Sequence, residues 1–344
     1  MKLVVITQRI DPDDPALGAT VPMLRALAAR VDELAVLTLV SRPADLPGNV
    51  RVRTIAAPVQ ALRGARLAAA LAAELRPRPA AVLAHMAPIY AVLSAPLARP
   101  VGVPVLLWFT HWRRSRLLEV AERLSTRVLS VERSSFPLPS RKVIAVGHGI
   151  DVGAVTPAAR AEDGVLRLLA LGRTSPAKGL RSIVEAAALL GELPVSVEIR
   201  GPSLTAEELD ERQSLERLVV ARGLADRVSI EEPVARRAIA GVYAGADVLV
   251  NNMRSGALDK VVYEAAGAAL PTVVASPGFD PLVGGIEPSL RFAQDDADNL
   301  AATLRALAAA GPEERRRIGL ELRRRVCRDH STDHWADAVV AAIS

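Results

Sequence analysis

Leu169–Leu180, reading LALGRTSPAKGL, runs an apolar strand into Gly172-Arg173 and then into Lys178-Gly179, after which a helical pattern continues to Leu190. A strand, a tight glycine turn and a following helix bring backbone N–H groups and a positive helix end beside two cations, Arg173 and Lys178. That combination is what a bound diphosphate needs. A solvated βα loop with two cations reads the same way in isolation, so the surrounding chain has to decide between them.

On the N-terminal side, short Val/Leu/Ile runs alternate with Ala/Leu/Arg-rich helical stretches. Strands are predicted at 3–6, 34–40, 50–55, 81–84, 103–109, 127–131 and 142–146, and helices at 19–30, 61–75, 89–97 and 114–124. Apolar runs without strict alternation, separated by helices, predict a parallel sheet covered on both faces. After Gly147-His148-Gly149-Ile150-Asp151 and the linker Thr156-Pro157-Ala158 the pattern restarts. Strands are expected at 165–171, 195–200, 227–230, 246–250, 272–275 and 290–293, with helices at 180–190, 206–222, 259–269 and 296–310. The fold class is therefore α/β, with two facing doubly wound Rossmann-like domains and an interdomain cleft beyond the carboxyl ends of the strands. The expected boundaries are 1–150, 151–325 and a C-terminal helix, 326–344, packing back toward the first domain.

Composition narrows the class of function. The chain has 344 residues, half of them hydrophobic, which is enough for two cores. A single cysteine, Cys327, excludes an internal disulfide. The apolar start, Lys2–Ile6, is too short for a secretory or spanning segment, so a cytoplasmic chain is expected. A net charge of +5 points to an anionic partner, but only 3% of residues are aromatic, against nucleic-acid binding. Neither a GxxxxGK[ST] loop nor a GxGxxG after strand one is present. Asp11-Pro12-Asp13 reads as a turn-rich surface loop, and Cys327, His330 and His334 lack the fourth ligand of structural zinc. The arginines of 315–317 and 323–325 read as a solvated helix face.

Further candidates sit beyond other strand ends. Gly18 precedes the first helix, where it would let a ligand approach the backbone. His111 lies in Trp108-Phe109-Thr110-His111-Trp112, either as a structural hydrogen-bonding residue or as a site residue. Glu264 falls within DKVVYEAAGAALP (259–271), among Val261, Val262, Ala265, Ala266 and Ala269. It is either a solvated helical glutamate or a buried one in need of partners such as a pair of hydroxyls.

Taken together, VGHGID at Val146–Asp151, GRTSPAKGL from Gly172 and EAAGAALPTVVA from Glu264 resemble the retaining glycosyltransferases of the group 1 (family 4) type, which have the GT-B fold. The resemblance extends over nearly the whole chain. It implies that Arg173 and Lys178 hold the donor diphosphate and neutralise charge that grows there as the glycosidic bond breaks. Glu264 would bind ribose hydroxyls, His111 would face the donor sugar, and Gly18 would leave room for sugar and phosphate. It further implies transfer from a UDP- or GDP-linked sugar to a sugar, lipid-linked or small-molecule acceptor, with retention, without a metal or other cofactor. One departure stands out: Gly256 occupies the position where the family often has a second Glu. Ser255, Gly256, Ala257 and Lys260 then form a small loop suited to sugar or phosphate. A catalytically silent binding or scaffold subunit and a sugar-nucleotide epimerase are the alternatives. Arg113, Arg114, Arg116, Arg123 and Arg127 flank Leu117, Leu118 and Leu124. This suggests peripheral contact with an anionic membrane at its inner face, against a buried helix with snorkelling arginines.

Overall fold

Val, Leu and Ile runs that lack alternation become the strands of two sheets, each parallel throughout. The structure is a computed structural model that describes residues 1–14, 17–158, 163–254, 256 and 258–343. It has two units, Met1–Asp151 with Asp329–Ser344, and Val152–Arg328.

The first unit runs β1 (Lys2–Ile10), α1 (Thr20–Ala28), β2 (Glu33–Ser41), β3 (Val50–Thr54), α2 (Gln60–Glu74), β4 (Ala81–His85), α3 (Pro88–Ala98), β5 (Val105–Trp108), α4 (Arg116–Leu124), β6 (Arg127–Ser130) and β7 (Val143–Ala145). Its sheet has the order β3-β2-β1-β4-β5-β6-β7. All five residues of β4 are buried, as a central parallel strand with helices on both faces requires. The core between sheet and helices gathers Val4, Ile6, Leu37, Leu71, Leu107 and Leu118.

The second unit runs β8 (Leu166–Leu171), α5 (Leu180–Leu189), β9 (Val195–Arg200), α6 (Ala206–Ala221), β10 (Val228–Glu231), α7 (Ile239–Ala244), β11 (Val248–Asn251), α8 (Lys260–Gly267), β12 (Thr272–Val274), α9 (Asp280–Val283), α10 (Ala297–Ala309) and α11 (Gly311–Asp329). The sheet order is β10-β9-β8-β11-β12. The strand expected at 290–293 reduces to a single bridge between Arg291 and Val274.

Helix α12 (Thr332–Ala341) returns the chain to the first unit. Trp335 is buried edge-on against Trp108, with ring centroids 5.8 Å apart. Arg30, two residues past the end of α1, pairs with Asp333 at 3.1 Å and Asp337 at 2.6 Å. The Ile150 amide donates to the His330 carbonyl at 2.7 Å, and the Thr332 amide to the Ile150 carbonyl at 2.9 Å. The boundary expected between 325 and 326 falls inside α11, because that helix keeps burying Ile318, Leu322 and Val326 up to its last turn. Its arginines are also not simply a solvated face. Arg323 donates to the carbonyls of Val155 (2.7 Å), Val152 (3.2 Å) and Gly267, and Arg325 to those of Leu282 (2.9 Å) and Gly284 (2.8 Å). Long guanidinium side chains reach carbonyls in the 152–155 loop and at the C-terminal ends of α8 and α9.

Candidate functional site

In each sheet the strand order reverses at one place, between β1 and β4 in the first unit and between β8 and β11 in the second. Loops leaving the carboxyl ends of two such strands diverge to opposite faces and open a crevice, the usual ligand position of doubly wound sheets. In the second unit the crevice is bounded by the loop after Leu171, by Asn251 and by the start of α8.

Gly172 makes the first of these loops possible. It has φ +127, and a Cβ there would stand 2.6 Å from Lys178 Nζ. Ser175 then opens a single 3-10 turn, Pro176–Lys178, which leads through Gly179 into α5. The loop is pinned to α6 by buried Thr174, whose hydroxyl lies 2.5 Å from Ser203 Oγ and donates to the Glu208 carbonyl at 3.1 Å. Arg173 reaches back to the same helix and pairs with Glu208 at 2.8 Å. Glu208 is itself buried and accepts the Leu204 amide at 2.7 Å.

Lys178 curls over Gly172 and is only 13% exposed at its side chain. Its ammonium meets the Leu171 carbonyl at 3.4 Å and the Asp259 carboxylate, with which it forms an ion pair. Asn251 donates to the same Asp259 oxygen at 3.0 Å. This ion pair joins the loop after β8 to the start of α8, across 81 residues of sequence.

Glu264 lies one turn further along α8 and is 6% exposed, so it is not the solvated helical glutamate of the bland reading. Its carboxylate receives Lys260 at 2.8 Å, Arg236 at 3.2 Å and the Tyr243 hydroxyl at 3.2 Å. Burial alone would raise its pKa; the Lys260 ammonium and the Arg236 guanidinium outweigh burial and bring it from 4.5 down to about 2. Tyr243 is held well above its ordinary 10, by burial first and by the Glu264 charge second. Lys260, expected at the sugar or phosphate loop, thus spends its charge on Glu264. Gly256 is exposed with φ +92 and open space where a Cβ would stand. Ser255 and Ala257 lie outside the described residues.

In the first unit, Gly18 is buried and its amide donates to the Asp14 carbonyl at 2.9 Å. Asp11 pairs with Arg9 (3.5 Å) and Arg42 (3.6 Å), and Asp14 with Arg9 (3.2 Å). His111 stands in the exposed segment beyond β5, its ring stacked on Trp112 at 5.9 Å and its Nδ1 accepting the Arg113 amide at 3.0 Å. Desolvation by its neighbours and the Arg113 charge lower its pKa from 6.5. The residue at the switch point of this sheet is instead His85, the last of β4. It is buried, its pKa pushed down by burial to about 4, and its Nδ1 lies 3.0 Å from the Thr7 hydroxyl of β1.

Glu208, Arg236, Tyr243 and His85 escaped the sequence reading. A usable signal existed for Glu208 alone: Thr205 three residues before it marks a helix start, and Thr205 Oγ1 accepts the Glu208 amide at 3.3 Å.

Residues 166–310, which span β8 to α10, match the family described as Glycosyl transferases group 1. A D-inositol 3-phosphate glycosyltransferase of Mycobacteroides abscessus is 34% identical over 149 residues, which is 41% of this chain and 33% of that protein. The match therefore spans about a third of that relative's length. Among solved structures, Anabaena HepE in complex with UDP-glucose superposes with a TM-score of 0.74 at 15% identity, covering 99% of this chain and 98% of the other. A trehalose-6-phosphate synthase, solved in work on glycosyl transfer with retention, gives 0.69 at 16% identity over 99% and 98%. The group 1 glycosyl transferase match thus covers residues 166–310, and the fold of the chain is that of the GT-B proteins.

Proposed function

We propose that this chain is a glycosyltransferase that moves a sugar from a UDP- or GDP-linked donor to a sugar, lipid-linked or small-molecule acceptor, with retention of anomeric configuration. The observation that carries the reading is the meeting of the Arg173–Lys178 loop with the start of α8 at the switch point of the second sheet. Arg173 and Lys178 hold the diphosphate, and their fixed charges stabilise it as the bond to the sugar breaks, so no divalent ion is needed. Glu264, ionised at any physiological pH, is assigned to accept hydrogen bonds from the ribose hydroxyls. His111 is assigned to the sugar end of the donor, and the leaving phosphate itself to the role of base. The likeness to a protein solved with UDP-glucose and to a retaining synthase supports donor class and stereochemistry.

The test is nucleotide release from a panel of UDP- and GDP-sugars with a broad set of acceptors. His111→Ala is expected to lower turnover at least tenfold while leaving free-nucleotide affinity nearly intact, since its contact counts where charge develops. Equal loss of nucleotide affinity would assign His111 to the fold instead. A wild-type protein that binds nucleotide yet releases none from any donor would favour the scaffold reading, to which Gly256 points.

Contact with an anionic membrane is part of the proposal. No helix among the described residues is long and apolar enough to cross a bilayer. The segment 111–117 is exposed throughout, with Trp112 (44%) and Leu117 (41%) among Arg113, Arg114 and Arg116. Leu118, by contrast, is buried against the sheet, and Val120 takes its place on the outer face of α4. Trp and Leu among arginines suit a headgroup boundary. Flotation with vesicles containing anionic lipid at low salt is expected to recover the protein; absence from the floated fraction would remove this partner.

A further inference from the structure

We propose that Asp259 is the built-in competitor of the diphosphate: it holds Lys178 until a nucleoside diphosphate takes its place, and so sets the affinity of the site. The proposal rests on reading the loop after β8 as the diphosphate site.

Asp259 stands at the N-cap of α8 with extended backbone (φ −70, ψ 124). Aspartate is favoured there because its carboxylate accepts an amide of the first helical turn. Here the side chain makes no such bond. One of its oxygens takes both the Lys178 ammonium and the Asn251 amide instead. The carboxylate has been drawn off its helix by the lysine.

The other cations near the crevice are also committed, but to acids that cannot readily let go. Glu208 is buried under Arg173 and fixed by the Leu204 amide, and Glu264 is buried among Lys260, Arg236 and Tyr243. Asp259 is more open, at 16% side-chain exposure, and has an alternative: released from Lys178, it can turn to the first-turn amide of Val261, the Val262 amide already donating to the Asp259 carbonyl at 3.2 Å. It is therefore the acid that yields. Four cations, Arg173, Lys178, Arg236 and Lys260, face three carboxylates, Glu208, Asp259 and Glu264, so an incoming anion gains most by displacing one of them. A diphosphate, with more charge than a monophosphate, does so more effectively.

The experiment is calorimetric titration of wild type, Asp259→Asn and Asp259→Ala with UDP, GDP, pyrophosphate and uridine, with melting curves to confirm folding. Both variants are expected to bind pyrophosphate and the preferred nucleoside diphosphate about tenfold more tightly, while uridine affinity stays the same. In a Lys178→Met background the gain should vanish, because it acts through that ammonium. If wild type binds UDP or GDP and neither variant binds more tightly, or the gain survives in the Lys178→Met background, the competitor role is wrong and the diphosphate site stands. If wild type binds neither diphosphate nor pyrophosphate, the site itself is wrong and the inference falls with it.

Discussion

Glu264→Gln lowers the melting temperature of the second unit by roughly 5–10 °C at pH 7, the expected result of taking the charge from a buried carboxylate that two cations and a tyrosine surround. The pH dependence follows from the same group. Its folded pKa, about 2, lies below the ordinary 4.5, so its contribution to stability is fully present above 4.5 and is lost as pH falls toward 2. A displacement of that size corresponds to about 3 kcal/mol at neutral pH. Melting curves of wild type and variant should accordingly converge between pH 4.5 and pH 2. A gap between them that is absent at pH 7, or that stays constant down to pH 2.5, would mean that Lys260 and Arg236 do not hold this carboxylate in solution. The consequence for function is that Glu264 variants confound nucleotide binding with stability, so affinity must be measured well below the melting temperature.

Replacing both Arg173 and Lys178 with Ala should reduce UDP or GDP affinity about a hundredfold or more, since each charge-assisted contact to a phosphate contributes about 1.5–3 kcal/mol. Stability should change by less than about 1 kcal/mol at Arg173, whose half-exposed guanidinium is screened by solvent and whose buried partner Glu208 keeps the Leu204 amide. At Lys178 the loss is offset by the freedom Asp259 gains to cap α8. Calorimetry is the check, and unaltered binding in the double variant would remove both residues from the diphosphate site.

Much of the architecture was legible because parallel strands covered on both faces read as continuous apolar runs, and Leu3–Ile6, Leu34–Leu37 and Val248–Val250 are of that kind. The loop of the candidate site was legible for a local reason: glycine and cations crowd a strand end within a few residues of Leu171. The partners of those cations were not. Lys178 meets Asp259 across 81 residues, and Arg236 meets Glu264 across 28, so these pairs depend on which strands become neighbours in the sheet. Helix α7, which supplies Tyr243, is short and contains Gly241, leaving no periodic signal. The arginines of α11 misled because their charge suggested solvent, whereas carbonyls of a loop and of a helix end were within their reach.

The return of α12 to the first unit sets an order for folding as the chain is synthesised. Residues 152–328 of the second unit are contiguous and can close on themselves as soon as they have left the ribosome. The first unit, though made earlier, waits for Thr332–Ala341 to cover Trp108 and the flank of α1. During the whole translation of the second unit, the older half of the protein lacks the Trp335 ring that packs on Trp108.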